Sequence, residues 1–419
     1  VVRDWQPKAP NTSHLIVVCS SAREKHGPTD RELIQQAIMA DPATARSTRV
    51  HQGLPEEIMI WEILARLPPK ALLRCRAVCR AWRRATSVRN FLLAHHGRQP
   101  ALPLASQRIN CGNSYYQNIV TFNNRATDAQ VQHVARVQLA DTIRLDASCD
   151  GLLLFTDNSI SQLAQNGSTY GTCFSICNPA TREHARLPML SAFLPFGMYR
   201  HRPTSEYRIL LTQEKDDPVT NAFFIFVLGS AQPPRNIGGW PREMVSVWGD
   251  DVLLRGSLHW HLQKHESKSS HIMVFDTTAE SFREMRAPVV LDPKRANLFE
   301  MYDKLGMSIF NGELKIIDIW MMQDYESEVW ALKYRVELPV ASLNVQFGQI
   351  VENRKVAVHS CDGDVLVLVR FGEWLLHFDT DSRLVASFHH EGLLLGQHRL
   401  QETLVPHTFF TTLDSYSVN

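Results

Sequence analysis

Large apolar residues recur at helical spacing in one early stretch of the chain. Leu54 and Pro55 mark the predicted start of a first helix, because a proline at the first helical position gives up an N–H that has no helical partner. Pro68 and Pro69 mark its end, since a proline ring disfavours the helical conformation at the preceding residue. The apolar stripe of this helix follows the spacing i, i+3, i+4 and i+7 and comprises Ile60, Ile63, Leu64 and Leu67.

A second apolar ladder at helical spacing follows Lys70 and is interleaved with arginines. Its members are Leu72, Cys75, Val78, Cys79 and Trp82. Ile58, Met59 and Trp61 remain outside the stripe of the first helix. A module of about 40 residues is too small to bury all of these side chains by itself. The pattern therefore predicts a small helical module that turns part of its apolar surface toward another protein.

The pattern changes from about residue 101 onward, where short apolar runs alternate with Gly, Asn, Asp and Pro. This is typical of strands joined by tight turns. A turn glycine followed by an apolar strand recurs at Gly151, Gly256, Gly312 and Gly363. The first interval is about twice each of the others, which places one further unit, with a degenerate turn, around residues 207–212. Asp276 and Asp379 lie at near-equivalent positions, where a side chain can bond its own turn backbone.

A repeat of about 50 residues with about four short strands per unit is typical of a kelch-like β-propeller. Five units are visible from about residue 145 to 392. Further strand-like pieces occur at 115–122 and 408–413. We expect these pieces to add one or two blades. They would also close the ring by pairing the first part of the domain with the last, which removes exposed sheet edges. A twisted β-sandwich is the alternative, and the repeat favours the propeller.

The predicted fold class is therefore α+β and multidomain. A small three-helix module precedes an all-β, propeller-like domain of about six to seven blades. The predicted boundaries are a flexible N-terminal extension at 1–52, the helical module at 53–96 and the propeller domain at 101–419.

Composition and charge narrow the possible partners. The hydrophobic content of 44% and charged content of 21% are ordinary for a globular protein. The net charge of +1 gives no global attraction to nucleic acid or membrane, although the stretch 54–91 alone carries +5. No apolar run approaches the roughly 18 to 20 residues needed to cross a bilayer. The eight cysteines are too few for a disulfide framework in 419 residues and predict reduced thiols in the cytoplasm or nucleus.

Several residues invite a metal or nucleic-acid interpretation. Cys75 and Cys79 lie four apart with His95 and His96 nearby, but both thiols fall on an apolar stripe, which favours packing. The same reasoning applies to Cys173 and Cys177 on a predicted strand. The alternating pair His259 and His261 has no third ligand to assign. The arginine-rich ladder alternates with apolar residues, which favours a solvated helix face over nucleic-acid binding. We therefore predict no metal, cofactor or nucleic acid.

The sequence contains no recognisable nucleophile elbow, no HExxH helix and no catalytic set of Ser, His and acid in a family context. One alternative function is a propeller hydrolase or sugar-processing enzyme with an accessory helical module. It predicts carboxylates or histidines of perturbed pKa that converge at the central mouth of the ring.

The helical module resembles the F-box. The matching positions are Leu54-Pro55, Ile58, Ile63-Leu64, Leu67-Pro68, Leu72-Leu73, Val78-Cys79, Trp82 and Asn90-Phe91. The remainder resembles the F-box-associated domain of plant F-box proteins, through Cys149-Asp150-Gly151-Leu152, Asn178-Pro179-Ala180-Thr181-Arg182 and Leu187-Pro188. Cys177 stands where that family usually has Trp, which predicts a looser blade core.

The resemblance implies a substrate-recognition subunit of an SCF-type cullin–RING ubiquitin ligase that does no bond chemistry itself. Its helical module would dock on the Skp adaptor, and its propeller would capture an unidentified target protein for ubiquitination. The other alternative is a propeller scaffold with no ligase role, which predicts no adaptor binding. The residues expected at or beneath the adaptor interface are Leu54, Pro55, Ile58, Leu64, Leu67, Pro68, Leu72, Val78, Cys79 and Trp82.

Overall fold

The structure is a computed structural model. It describes residues 55–111, 114–123, 130–139, 143–157, 173–187, 190, 193–213, 222–239, 246–263, 271–288, 296–312, 315–348, 355–361, 364–389 and 392–414. The predicted extension at 1–52, Leu54 and Gly363 lie outside the described residues.

The helical module contains four helical segments where three were expected. The first begins as α1 (Glu56–Ile58) and continues through a π-helical turn (Met59–Ile63) and a 3-10 turn (Leu64–Arg66). It is followed by α2 (Pro69–Cys75), α3 (Arg80–Ser87) and α4 (Arg89–Arg98). The second apolar ladder is therefore split between α2 and α3. Extended Cys79 caps α3, since its Sγ accepts from the Trp82 N–H at 3.4 Å.

In the described part of the chain, 24 strands form six four-stranded antiparallel sheets, the blades of a propeller. Blade 1 contains β1 (Ala101–Cys111), β2 (Ser114–Asn123), β3 (Gln130–Leu139) and β24 (Leu393–Gln401). Blade 2 contains β4 (Ile143–Cys149), β5 (Leu152–Asp157), β6 (Cys173–Asn178) and β7 (Glu183–Arg186). Blade 3 contains β8 (Phe193–Arg200), β9 (Tyr207–Gln213), β10 (Ala222–Val227) and β11 (Arg235–Gly239).

The other three blades keep the same up-and-down order. Blade 4 contains β12 (Ser246–Leu254), β13 (Ser257–Gln263), β14 (His271–Asp276) and β15 (Ser281–Arg286). Blade 5 contains β16 (Ala296–Met301), β17 (Lys304–Asn311), β18 (Ile316–Asp324) and β19 (Val329–Glu337). After α5 (Val340–Phe347), blade 6 contains β20 (Val356–Cys361), β21 (Asp364–Phe371), β22 (Trp374–Phe378) and β23 (Leu384–His389).

Ring closure follows the sequence prediction. The last strand, β24, pairs antiparallel with β1, so that Ala101 lies opposite Gln401. The inner strands of the six blades, namely β24, β4, β8, β12, β16 and β20, meet at the centre of the ring, where β12 also contacts β24 of the opposite blade. Six apolar clusters fill the interfaces between neighbouring blades. The cluster between blades 1 and 2 contains Ile119, Phe155 and Cys177, which are all buried.

Two local predictions were wrong. Residues 408–413, expected to be strand-like, form α6 (Thr408–Asp414), because Phe409, Phe410 and Leu413 share one helical face that packs on the core between blades 2 and 3. Gly312 follows the second strand of its blade and is not equivalent to Gly151 and Gly256, which follow the first. The equivalent turn in blade 5 uses Tyr302 and Asp303, both at φ 55°.

The predicted side-chain caps of blade turns are confirmed. Asp276 Oδ1 accepts backbone N–H bonds from Thr278 and Ala279, both at 2.8 Å. Asp379 Oδ1 accepts from Asp381 and Arg383 at 3.0 and 2.8 Å. Asn178 and Asp324 cap the corresponding turns of blades 2 and 5 in the same way.

No helix in the described part of the chain is both long and apolar enough to cross a membrane.

Candidate functional site

The core of the helical module is completed by the far end of the chain. Leu64 and Leu72 are buried in it, and Leu67 and Trp82 pack against it as half-buried side chains. The remaining buried members are Ala65, Phe91, Leu92, Leu404 and Val405. Two of these follow β24, more than 300 residues later in sequence. The module therefore shares its core with the segment that leaves the propeller.

Apolar side chains remain exposed on the helical module although this core is filled. Val78 is 64% exposed and Ile58 is 42% exposed. Of the other predicted adaptor residues, Pro55, Pro68 and Cys79 are exposed as well. Exposed large apolar side chains outside the predicted set are Trp61, Ile63, Leu73, Val88 and Leu93. The predicted adaptor residues that the structure describes therefore fall into two groups, one that forms the core of the module and one that is exposed on its surface.

The prediction that Ile63 belongs to the buried stripe was wrong. Ile63 is 38% exposed, whereas Met59 is half-buried. The reason is the π-helical turn at Met59–Ile63, because a wider turn rotates the following residues relative to a regular α-helix. A regular helical period could not anticipate this rotation.

The arginines of α2 and α3 play two roles. Arg74, Arg80, Arg83 and Arg84 are exposed and give this side of the module its positive charge. Arg76 turns inward instead and donates to the Oγ1 and backbone carbonyl of Thr86 at 3.1 and 2.6 Å. Burial, together with nearby Arg83, lowers the pKa of Arg76.

The glycine motif of blade 2 lies against the segment that follows β24. Gly151 has φ 83°, and a β-carbon there would lie 2.7 Å from the carbonyl oxygen of Gln401 and 2.8 Å from Thr403 Cγ2. The asparagine motif meets the same segment: buried Asn178 donates to the Thr403 carbonyl at 3.2 Å. Both motifs therefore hold residues 401–403, which lead into the core of the helical module.

A cluster of half-buried polar side chains joins the helical module to the propeller. Tyr207 donates its hydroxyl to Asp150 Oδ2 at 3.0 Å, and His96 Nε2 lies 3.9 Å from Asp150 Oδ1. The His96 Nδ1 lies 3.1 Å from the Glu402 carbonyl oxygen. Burial opposes protonation of His96, but the Asp150 carboxylate and the Glu402 carbonyl outweigh it and raise its pKa. Gln401 adds bonds to the carbonyls of His96 and Gln99 at 2.9 and 3.1 Å.

Carboxyl and imidazole groups from several inner strands come together at the centre of the ring. Asp250 Oδ2 accepts from the Gln397 N–H at 2.6 Å, and Asp250 Oδ1 lies 3.6 Å from His398 Nε2. Burial raises the pKa of Asp251 to about 7, with Asp250 adding to the rise and His398 opposing it. Burial and the nearby Arg399 lower the pKa of His359 to about 3. The sequence analysis did not single out these residues, because they lie on different blades.

The residues considered as metal ligands make ordinary structural contacts. Cys79 serves as a helix cap, and His259 Nε2 accepts from the Tyr325 hydroxyl at 2.7 Å while its Nδ1 donates to the Val252 carbonyl at 3.1 Å. Burial lowers the pKa of His259 to about 4, which suits a neutral ring held by these two bonds. Within the described residues, no three His, Cys, Asp or Glu side chains are grouped as metal ligands.

Family comparisons agree with both parts of this architecture. Residues 51–95 match the F-box-like family, and residues 113–391 match the F-box associated beta propeller domain. The chain is a plant F-box protein with an F-box-associated propeller. The second match spans more than half of the 419 residues and covers all or part of each of the six blades.

Curated relatives are F-box proteins of Arabidopsis thaliana. The F-box protein At5g49610 is 24% identical over 314 residues, which cover 68% of this chain and 79% of the relative. The F-box protein At5g10340 is 23% identical over 364 residues, which cover 80% of each chain. Among solved structures, TolB from Acinetobacter baumannii gives a TM-score of 0.45 at 10% identity and covers 72% of this chain and 67% of TolB. A similarity that low has no bearing on function.

Proposed function

We propose that this F-box protein is the substrate-recognition subunit of an SCF-type cullin–RING ubiquitin ligase. The observation that carries the proposal is the exposed apolar surface of a helical module whose own core is already filled. Val78 and Ile58 are exposed large apolar members of the predicted contact set, and they make apolar surface available to the Skp adaptor. Acidic surface on the adaptor would be attracted to the exposed arginines and would speed association.

The protein performs no bond chemistry in this proposal. The helical module is the fixed end, and the propeller holds a target protein near the conjugating enzyme that the cullin brings. Holding the target raises the effective concentration of its lysines at that enzyme. The contacts of residues 401–405 with both parts favour a fixed orientation between adaptor and target. We expect the protein in the cytoplasm or nucleus, which imaging of a fluorescent fusion in plant cells would test.

The test uses exposed residues so that loss of binding does not arise from loss of folding. Ile58→Asp together with Val78→Asp should weaken binding of a purified Skp adaptor by about tenfold or more, because two charges enter an apolar interface. Size-exclusion chromatography with light scattering would measure formation of the one-to-one complex.

The matched control is Val345→Asp with Val385→Asp, which places the same charges at positions 89% and 56% exposed on the propeller domain. This control should bind the adaptor as the unchanged protein does. A folded, unchanged protein that forms no complex, or equal binding by both double variants, would contradict the proposal.

A further inference from the structure

A groove separates the helical module from blades 1 and 2 of the propeller. Its volume is about 650 Å³, within the roughly 300–1,000 Å³ range of established binding pockets. One wall is α2 with Pro68 before it, and another is the outer strand of blade 1 around residues 132–134. The third wall is the turn between β6 and β7, residues 179–182.

Apolar side chains form much of the groove surface. Leu73 is 42% exposed there, although it belongs to a helix whose opposite side is buried. Further apolar surface that is exposed or half-buried comes from Pro68, Pro100, Leu102, Val134 and Ala180. Such a surface gains from burying apolar side chains of a partner.

The groove also carries unbalanced positive charge. Lys70, Arg74 and Arg182 line it and are exposed, and within the described residues they have no ion-pair partner. Arg76 lines it too, with its guanidinium held by Thr86. Among the described lining residues, only Glu402 carries a carboxyl, and burial raises the pKa of that group. An acidic partner would therefore meet more cations than carboxylates.

Arg182 stands out when the turns of the blades are compared. It has φ 65°, and the residues at the corresponding turn positions of blades 4 and 5, Glu280 and Glu328, have φ 51° and 56°. Glu280 pairs with Arg208, and Glu328 pairs with Arg286 at 3.0 Å. In blade 2 this turn position is occupied by the positively charged Arg182, whose side chain lines the groove. The turn itself is already fixed by Asn178, so the fold does not require this guanidinium.

We propose that this groove binds an extended acidic peptide segment of a target protein, with Asp and Glu side chains facing Lys70, Arg74 and Arg182 and an apolar side chain covering Leu73. The peptide should bind whether or not the protein belongs to a ligase. The conclusion that this binding captures a target for ubiquitination rests on the proposed function. Of the predicted adaptor residues, only Pro68 lines the groove. The adaptor and the acidic peptide should therefore bind at the same time.

The first experiment selects short peptides from a random displayed library on the purified full chain. We expect enrichment of peptides that combine Asp or Glu with Leu, Val or Phe. The groove variant Lys70→Glu, Arg74→Glu, Arg182→Glu should lose this enrichment. The matched control Arg80→Glu, Arg83→Glu, Arg84→Glu makes the same change in net charge on residues outside the groove lining and should retain it.

Affinity of an enriched acidic peptide is then measured by fluorescence anisotropy. The groove variant should weaken binding by roughly tenfold to a hundredfold, and the control variant by about twofold, because the control residues do not line the groove and their solvent-exposed charges act on the peptide only through screened, longer-range attraction. Leu73→Ser should weaken binding separately, and binding of the unchanged protein should fall as salt is raised.

Each of several results would overturn the proposal. In the peptide experiments, these are no enrichment, enrichment of neutral or basic peptides, equal loss in the groove and control variants, and tighter binding of a single-stranded oligonucleotide of equal charge. Displacement of the peptide by a purified Skp adaptor would also overturn it, since the groove would then belong to the adaptor surface. Adaptor binding, measured separately, reports on the proposed function, so the two failures are distinguishable.

Discussion

At the scale of single residues, close backbone contact at Gly151 makes the most direct prediction. Gly151→Ala places a β-carbon within 3 Å of Gln401 and Thr403 and forces a left-handed backbone on alanine. We expect the free energy of unfolding to fall by about 2–4 kcal/mol, because the neighbouring atoms include backbone that cannot rotate away. Chemical denaturation monitored by tryptophan fluorescence would measure the loss.

The control for Gly151 is Gly372→Ala. Gly372 also has a positive φ, 61°, but a β-carbon there meets nothing within 4 Å. Gly372→Ala should therefore lower the free energy of unfolding by only about 1 kcal/mol, because alanine disfavours a positive φ but meets no neighbouring atom. Equal losses at the two positions would show that contact with residues 401 and 403 does not matter.

His359 makes a prediction about pH. Its pKa is about 3 in the folded protein against an ordinary value of 6.5. The unfolded chain therefore takes up a proton first, so the stability present above pH 6.5 is lost progressively as the pH falls toward 3. We expect this group to cost about 2 kcal/mol between pH 7 and pH 5.

Urea denaturation of His359→Gln at pH 7, 6 and 5 would test this contribution. The variant should show a shallower decline in stability with falling pH, by about 1 kcal/mol per pH unit on average between pH 7 and pH 5. His389→Gln, which alters an imidazole whose side chain is 56% exposed, should leave the slope unchanged. An unchanged slope in His359→Gln would refute the prediction.

At the scale of elements, β24 closes the propeller in two ways. Its backbone pairs with β1, and its Arg399 side chain contacts other blades. The guanidinium reaches Glu300 on β16 at 2.7 Å, the Ser360 carbonyl on β20 at 2.8 Å and the Ala101 carbonyl on β1 at 2.9 Å. One side chain thus joins blades 1, 5 and 6.

Arg399→Ala should lower the free energy of unfolding by about 2–3 kcal/mol, because it leaves a carboxylate and two carbonyls without their charged donor. Arg335→Ala is the comparison, since Arg335 pairs with Asp318 on an exposed blade surface and should change stability little. Thermal unfolding of both variants would measure the difference. Similar melting temperatures would argue against a role of Arg399 in closure.

At the scale of the whole molecule, the helical module and the propeller share a core and should not be independent. Leu404→Ser with Val405→Ser removes the propeller's part of that core and should destabilise α4 by about 3–5 kcal/mol. Amide hydrogen exchange of Arg89–Arg98 should accelerate by about a hundredfold or more, and adaptor binding should weaken.

The exposed double variant Val385→Ser with Leu332→Ser serves as the control for this coupling, with side chains 56% and 41% exposed. It should leave the exchange of α4 unchanged. Unaltered exchange in the Leu404 and Val405 variant would mean that the helical module is stable without the C-terminal segment.

The sequence by itself determined the kinds of element, the repeat and the family. Apolar spacing, turn glycines and capping carboxylates are local signals, and they act between residues close in sequence. They correctly predicted a helical module followed by a ring of four-stranded blades, and capping at Asp276 and Asp379. Ile58 and Val78 were also named from spacing and resemblance as residues at or beneath the adaptor interface, and binding of the adaptor to them remains a prediction. Only the structure showed that both are exposed.

Only the tertiary structure decided the blade number, the shared core and the groove. Six blades result because 408–413 packs as a helix and β24 joins β1, which depends on contacts between the two ends of the domain. Leu404 and Val405 complete the core of the helical module, although they lie more than 300 residues later in the sequence. Lys70 and Arg182 are likewise far apart in sequence but line the same groove. Such contacts leave no periodic signal, because the backbone between them sets their distance in space.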